Sequence, residues 1–361
     1  MILREANAPT ANSFLVFKGK GDLAQANGYY SAVDPNGERT TLGAWWTKNG
    51  FTFDVNGIPT NAVRTSYLNF NDLGSGRDMY FLQRGDGTVA AYVTNYGLFN
   101  QDAGNADLAA NRTNPGATVC MVYGPVEGQG PTRIVKFFVF AGGDFAFNAP
   151  RAPAADLDGF EPKFVPNLCL NCHGGNYNPA NPASPTLAEI NTGASFRELD
   201  IATYKFPGGR LVANNAEKTA FKSQNLIVKG AALGDTIAIQ PIKDLIAGWY
   251  PGASIEQDNT FTPTGWLGAP QQDLYRDVVK QSCRTCHVAQ DADTSNNGIG
   301  WITYGQLQQR RSFLDSFVLC DSRVMPHAVI TYRNFWLSAS PHRPAVLRNF
   351  SNGAGWLAIG L

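Results

Sequence analysis

Charged residues are scarce in this sequence, and the charges that it has are balanced. Only 16% of the 361 residues are Asp, Glu, Lys or Arg, and 29 cationic side chains oppose 29 anionic ones, so the formal net charge is zero. Proteins that bind nucleic acid or an anionic membrane surface usually carry a basic excess. The composition therefore gives no support for either kind of partner.

Long apolar runs and repeats are also missing. No apolar run reaches the roughly 18 residues of a transmembrane helix, so none is predicted. A length of 361 residues predicts two or three domains, and the 37 Gly and 21 Pro indicate a loop-rich protein rather than a helical bundle.

Histidine is rare as well, and its positions are informative. Two of the four histidines directly follow a Cys-x-x-Cys pair, in Cys169-x-x-Cys172-His173 and Cys283-x-x-Cys286-His287. Two thiols at this spacing each add to one vinyl group of a haem, and the adjacent histidine becomes the proximal ligand of the iron. Two copies of the motif predict two covalently bound c-type haems, held by these four cysteines, with iron bound by the two histidines.

A structural zinc site is the alternative use of these cysteines. Two Cys-x-x-Cys pairs can supply four thiolates to one zinc ion, and the histidines would then be bystanders. The first cysteines of the two pairs are 114 residues apart (283 − 169), which is a wide gap for paired zinc knuckles. The histidines after both pairs favour haem.

Two cysteines remain after the motifs are assigned, Cys120 and Cys320. In an oxidising compartment they are able to form a disulfide that joins distant parts of the chain. The alternative is two buried thiols that pack as small apolar side chains. Connectivity does not follow from sequence, so both alternatives stay open.

The start of the sequence bears on localisation. Residues 1–7 lack the apolar core of a signal peptide, whereas haem is attached to such motifs outside the cytoplasm. We therefore expect the numbering to cover a mature or truncated chain, located in the periplasm or outside the cell.

Residues 1–150 are predicted to form a mostly-β domain. Strand-forming residues flank turn residues in two hairpins, 79–83 with 88–96 and 117–123 with 133–140. Residues 13–18 and 44–47 are further strand candidates. The aromatic residues of this part, Trp45 and Trp46 among them, are expected to fill a β core, with a ligand groove as the less favoured use.

The rest of the chain is predicted to be mostly α, which makes the fold class α+β. Residues 151–264 form a first haem-binding region with helices at 215–229 and 239–249, whose apolar residues follow helical spacing. In residues 265–361, a helix from Pro270 leads into Cys283, a second spans 304–319, and the last carries Val329, Tyr332, Phe335 and Trp336.

The order of helix, Cys-x-x-Cys-His, helices, Met325-Pro326 and terminal aromatic helix resembles a class I cytochrome c domain over residues 265–342. The gap from His287 to Met325 is 38 residues (325 − 287), as in small members of that family. The resemblance implies that His287 is the proximal ligand and Met325 the distal one; core packing beside the haem is the alternative for Met325. More loosely, the whole chain is similar to bacterial proteins with a β-rich domain before two cytochrome c motifs.

The first motif departs from this pattern, because no other Met or His lies between His173 and the helix before Cys283. Lysine ligation requires a neutral amine, which is uncommon near pH 7. The sixth ligand must then come from Met79, Met121, His327 or His342, or the site stays open. Met79 ranks first because it lies at a predicted strand edge, His327 second, and an open site third.

Three functions fit these motifs. The first is electron transfer between redox partners through two haems. The second is a peroxidase-like di-haem enzyme with an open first haem, which also requires an acid or base over the iron. No such group can be assigned from sequence, although four carboxylates lie nearby in the chain: Glu161, Glu189, Glu198 and Asp200. The third is a haem-bearing assembly subunit of a larger redox complex or a homo-oligomer.

Overall fold

The structure is a computed structural model. It describes residues 18–98, 100, 102–143, 146–157, 161–230, 239–268, 271–290, 299–319 and 329–353. Cys320, Met325, His327 and Pro270 lie outside the described residues, as does nearly all of the predicted strand at 13–18.

A six-stranded antiparallel sheet forms the centre of a mixed α+β fold, with strand order β5-β4-β3-β2-β1-β8. A second sheet consists of the short pair β6 and β7. The strands are β1 Val63–Asn69, β2 Gly76–Gln83, β3 Val89–Tyr96, β4 Pro115–Pro125, β5 Arg133–Phe140, β6 Ala154–Ala155, β7 Lys163–Phe164 and β8 Tyr204–Lys205.

The two predicted hairpins are confirmed. β2 pairs with β3 from Gly76↔Tyr96 to Gln83↔Val89, and the turn between them places Gly87 at a φ of 80°. β4 pairs with β5 from Thr118↔Phe140 to Pro125↔Arg133. Alternation along these strands sends neighbouring side chains to opposite faces of the sheet.

Helices surround the sheet. They are α1 Leu23–Val33, α2 Leu42–Asn49, α3 Gly104–Asn111, α4 Asn167–His173, α5 Leu187–Ile190, α6 Asn215–Gly230, α7 Gln240–Trp249, α8 Gln271–Leu274, α9 Arg284–His287, α10 Tyr304–Gln309, α11 Arg311–Phe313, α12 Val329–Trp336 and α13 Arg343–Gly353. Three-residue 3₁₀ turns lie at Ile201–Thr203, Pro207–Gly209 and Thr264–Trp266, and π-helical stretches at Tyr275–Cys283 and Leu314–Leu319.

The strand predicted at residues 44–47 is wrong, because this segment lies within α2. The hydroxyl of Thr41 accepts a hydrogen bond from the amide of Ala44 at 3.2 Å and caps the helix. Gly50 ends it with a φ of 84°, a conformation that glycine adopts without steric cost. Side chains at helical spacing, Leu42, Trp45 and Trp46 among them, are buried, so tertiary packing overrides the strand preference of tryptophan.

The two faces of the sheet carry separate apolar cores. One face packs on the aromatic residues of α1 and α2. Tyr30 stacks on Phe138 with ring centroids 6.0 Å apart, and the ring centroids of Trp46 and Tyr92 are 5.5 Å apart. The prediction that the early aromatic residues fill a core is confirmed. The other face, which carries Met79, is partly covered by α6 and α7.

Packing crosses the predicted region boundary near residue 150. Strand β8 extends the main sheet, and Leu168 and Leu170 of α4 belong to the same core as α1 and α2. A third core is formed mainly by the helices after residue 265, with Trp266, Tyr332 and Phe335 fully buried. The sheet therefore forms a wall against which residues of the first motif are placed.

Candidate functional site

The first motif lies on α4, a helix of two turns that docks beside the sheet. Leu168 and Leu170 are buried, and the helix ends at Gly174, where φ is 75° and ψ is −172°. Cys169 and Cys172 are three residues apart, so they project from the same side of the helix. Both thiols line a cavity between α4 and the sheet, and His173 lines it too.

The second motif follows the π-helical stretch at Tyr275–Cys283, whose Val278 and Val279 are buried in the third core. The chain then continues into α9, which carries Cys286 and His287. A short apolar cavity of about 420 Å³, its open mouth included, borders His287. The His287 ring stacks on Trp301 at a centroid distance of 3.5 Å and an interplanar angle of 11°.

Both histidines have the same hydrogen bond at the same ring atom. Nδ1 of His173 lies 2.9 Å from the carbonyl oxygen of Ser195, and Nδ1 of His287 lies 2.6 Å from that of Ile299. A carbonyl only accepts, so Nδ1 carries the proton and Nε2 keeps its lone pair. Burial lowers the pKa of both rings to about 4, which leaves them neutral near pH 7. A carbonyl partner at the second nitrogen is the usual arrangement of a metal-ligating histidine.

The two motifs, far apart in sequence, are in direct contact. The thiol of Cys286 is hydrogen-bonded to Cys172, which lowers the pKa of Cys172 and raises that of Cys286. The side-chain amide of Gln290 donates to the carbonyls of Leu170 at 3.2 Å and Asn171 at 2.7 Å. The second cysteines of the two motifs, Cys172 and Cys286, therefore lie next to each other.

Glycine is required where the segments after the two motifs cross. A Cβ atom at Gly174 would lie 1.8 Å from the backbone oxygen of Ala289, and the φ and ψ of Gly174 are accessible essentially to glycine alone. Gly208 also has a φ of 75°, yet a Cβ there would meet nothing within 4 Å. Gly208 has a ψ of 20°, a left-handed conformation, so the two positions differ both in crowding and in how strongly the backbone requires glycine.

We expect Gly174→Ala to lower the free energy of unfolding by roughly 2–5 kcal/mol, from backbone strain and from overpacking against Ala289. Gly208→Ala is the control and should cost only about 1–2 kcal/mol, the penalty of a left-handed conformation. Urea unfolding of both variants measures the difference. Equal losses would show that the crossing at Gly174 tolerates a methyl group.

The cavity at the first motif is the larger of the two. It encloses about 1420 Å³, open solvent at its mouth included, against about 420 Å³ for the cavity at His287. Its sheet wall includes Met79, Met121 and Phe137, and its other wall includes Cys169, Cys172 and His173. The ring of Phe137 lies 5.5 Å from that of His173.

Ion pairs with little exposure border this cavity. Arg77 pairs with Asp72 at 2.5 Å, Arg197 with Glu198 at 3.1 Å, and Arg284 with Asp200. Burial raises the pKa of Asp72, and the charge of Arg77 only partly opposes this effect. Cations and carboxylates therefore meet at the edge of an otherwise apolar wall.

The structure brings most of the predicted site residues together. Met79, Cys169, Cys172 and His173 line one cavity, together with Cys286 of the second motif, whereas His287 lines the neighbouring one. Met325 and His327 lie outside the described residues. His342 and Cys283 line neither cavity, and Cys283 is buried in the third core.

Sequence reasoning gave no role to Asp72, and it named Met121 as a candidate sixth ligand without ranking it. Met121 faces the cavity beside Phe137, its partner across β4 and β5, and strand alternation places it on the same face as Met79. Asp72 lies in the loop before β2, and no pattern in the sequence indicated its position.

The four carboxylates near the motifs in sequence divide into two groups. Glu161 forms a surface ion pair with Lys20, and Glu189 caps α5 through Thr186, so these two are structural. Glu198 and Asp200 border the cavity.

No family model, curated protein or solved structure matches this chain. Within the described residues, no three side chains of His, Cys, Asp or Glu are gathered in a way that would hold a metal ion. No helix in the described part of the chain is long and apolar enough to cross a membrane.

Proposed function

We propose that this chain is a di-haem c-type cytochrome that transfers electrons between redox partners. One observation carries the proposal: two Cys-x-x-Cys-His helices are packed together, and each histidine presents Nε2 with its lone pair because a backbone carbonyl takes the Nδ1 proton. Both thiols and the histidine of the first motif line one cavity, which supports attachment of a haem there.

The residues divide between the two haems as follows. Cys169 and Cys172 would bind the first haem, with His173 as proximal ligand and Met79 as sixth ligand. Cys283, Cys286 and His287 would bind the second, with Met325, which lies outside the described residues, as sixth ligand. The bound iron supplies one-electron exchange between its ferrous and ferric states.

The protein's own part is to orient ligands and exclude water. The carbonyls of Ser195 and Ile299 hold the two imidazole rings in one tautomer and one orientation. Apolar walls, Phe137 and Phe81 at the first motif and Trp301 and Val279 at the second, lower the local dielectric and so influence both potentials. Redox proteins in the periplasm or outside the cell would be the partners.

Intact mass tests the proposal. We expect the mature chain to exceed its apo mass by two haems, because each motif supplies both thiols. Replacing both cysteines of one motif, Cys169 and Cys172 or Cys283 and Cys286, should remove one haem. Cys120→Ala is the control, since this buried cysteine belongs to neither motif, and it should keep both haems. A parent chain with one haem or none would contradict the proposal.

A second candidate function, a peroxidase-like di-haem enzyme, is favoured by one observation. The Asp72–Arg77 pair lines the same cavity as His173, and an acid with a raised pKa next to a cation is suited to moving a proton at a bound oxidant. This function requires an open sixth position at the first iron. A high-spin ferric signal in the parent protein would favour it over electron transfer, and two low-spin signals would exclude it.

A further inference from the structure

One side chain, that of Arg197, bonds to the backbone of both motifs. Its Nη1 donates to the carbonyl of Cys172 at 2.7 Å and to the carbonyl of Thr285, and its Nη2 lies 3.4 Å from the carbonyl of Arg284. Glu198 balances its charge, with Nε and Nη2 at 3.2 and 3.1 Å from the carboxylate oxygens. Both side chains are nearly buried, at 14% and 3% exposure.

The acceptors belong to the two short helices that carry the motifs. Cys172 is the penultimate residue of α4, and Arg284 and Thr285 lie in the single turn of α9. The carbonyls of the last helical turn lack some of their partners within the helix, and a cation is favoured at this end of the helix dipole. The carbonyl of Arg284 also accepts from the amide of Val288 at 3.2 Å, so Arg197 adds a second donor there. Arg197 therefore serves as a shared cap for both motif helices.

The fork geometry of arginine matters for this task. A guanidinium has five N–H donors in a rigid plane, so it holds several acceptors at fixed positions, whereas an ammonium is a compact point charge on a flexible stem. The contact that Arg197 supports is the one between the Cys172 and Cys286 sulfur atoms. A change in the spacing of the two helices would therefore move both attachment points at once.

We propose that Arg197 is a positioning residue that sets the separation and orientation of the two haems by capping both motif helices. The inference rests on the proposed function, because it requires both motifs to carry haem. Arg197 is not an iron ligand and takes no part in attachment. Its removal should therefore leave the number of haems unchanged and alter the electronic interaction between them.

Circular dichroism in the Soret region of the full-length protein measures this interaction, because two close haems give a bisignate couplet that depends on their relative orientation. Arg197→Lys retains the positive charge and loses the planar arrangement of N–H donors. We expect two haems by intact mass and loss of the couplet. The oxidation of one haem should also change the potential of the other by less than in the parent. Arg77→Lys is the matched control: it makes the same change in the same cavity, but at a guanidinium that pairs with Asp72. It should keep the couplet.

The outcomes separate the two proposals. A parent chain that lacks a second haem contradicts the proposed function. A couplet of parental shape in Arg197→Lys, with both haems present, overturns the positioning role alone. If Arg197→Lys is not recovered folded, Gln290→Met decides, because Gln290 is the other side chain that links the motifs and its loss should leave the couplet in place. Loss of the couplet in Gln290→Met, with Arg197 intact, would overturn the inference.

Discussion

Asp200→Asn is expected to lower the free energy of unfolding by about 3–5 kcal/mol, because it removes the closer counter-ion of the buried Arg284 guanidinium and leaves only Glu198, 3.9 Å away and already paired with Arg197. Asp200 and Arg284 are 7% and 6% exposed at their side chains, and Nη2 of Arg284 donates to Oδ2 of Asp200. The other carboxylate oxygen accepts from Gln257 at 2.5 Å and from the amide of Ala202 at 3.2 Å. The side-chain amide of an asparagine at this position would satisfy only part of this set of hydrogen bonds.

The loss would fall on the second motif, because Arg284 is one of the two residues between Cys283 and Cys286. Its guanidinium also donates to the hydroxyl of Tyr275 at 3.1 Å and lies 5.2 Å from the ring of Trp249. Breaking the ion pair therefore disturbs the turn that presents His287. The double variant Asp200→Asn, Arg284→Gln should lose less than the sum of the two single variants, since neither charge is then left unpaired.

Urea unfolding of the purified protein measures the effect, with Glu256→Gln as the matched control. Glu256 also pairs with a cation, Lys218 at 2.8 Å, but its side chain is 61% exposed. An exposed pair contributes about 1 kcal/mol or less, so the control should remain close to the parent. If the two variants unfold at the same urea concentration, the Asp200–Arg284 pair does not stabilise the fold.

The same pair predicts a pH dependence. Burial alone would raise the pKa of Asp200, but the charges of Arg284 and Lys280 and the Gln257 hydrogen bond outweigh it and lower the pKa below 3.8. A carboxyl whose pKa is lowered on folding stabilises the folded state above its unfolded pKa, and this contribution is lost as the pH falls through the folded value. The acid-induced loss of stability below pH 4 should therefore be shallower in Asp200→Asn.

Local sequence patterns predicted much of the fold, and the misses have a common cause. The β2–β3 hairpin followed from strand-forming residues on both sides of Gly85-Asp86-Gly87, and α7 from apolar residues at helical spacing. α2 was missed because the strand preference of Trp45 and Trp46 is weaker than the burial that the helix gives them. Preferences of single residues fail where long-range packing decides.

The candidate site shows the same difference between local patterns, which the sequence reveals, and long-range contacts, which it does not. The motif cysteines and histidines were evident because their spacing is local. The Cys172–Cys286 contact and the bridge made by Arg197 join residues that are about a hundred positions apart, and no local pattern indicates them. Asp72 and Met121 depend on the register and curvature of the sheet, which the alternation of side chains constrains only to one of two faces.

The sixth ligand of the first haem is the remaining question that a single substitution answers. Met79 lines the cavity opposite α4 and is 8% exposed, and the hydroxyl of Tyr67 donates to its sulfur at 3.9 Å. Met121 lies on the same face, but it pairs with Phe137, whose ring packs against His173. Strand β3 separates β2 from β4, so the two methionines are on strands roughly 10 Å apart. A sixth ligand must approach from the side away from His173, and this favours Met79.

Met79→Ala is therefore expected to convert the first haem from a six-coordinate low-spin state to a high-spin state, and to lower its potential, because a thioether favours ferrous iron. Added imidazole should restore the low-spin state by filling the vacated position. Met121→Ala is the matched control: both substitutions remove a methionine from the same wall and should cost roughly 2–5 kcal/mol of stability, but only the first should change the spin state. Electron paramagnetic resonance and visible spectra of the ferric proteins give the result. A low-spin Met79→Ala protein, or a high-spin Met121→Ala protein, would remove Met79 from the ligand set.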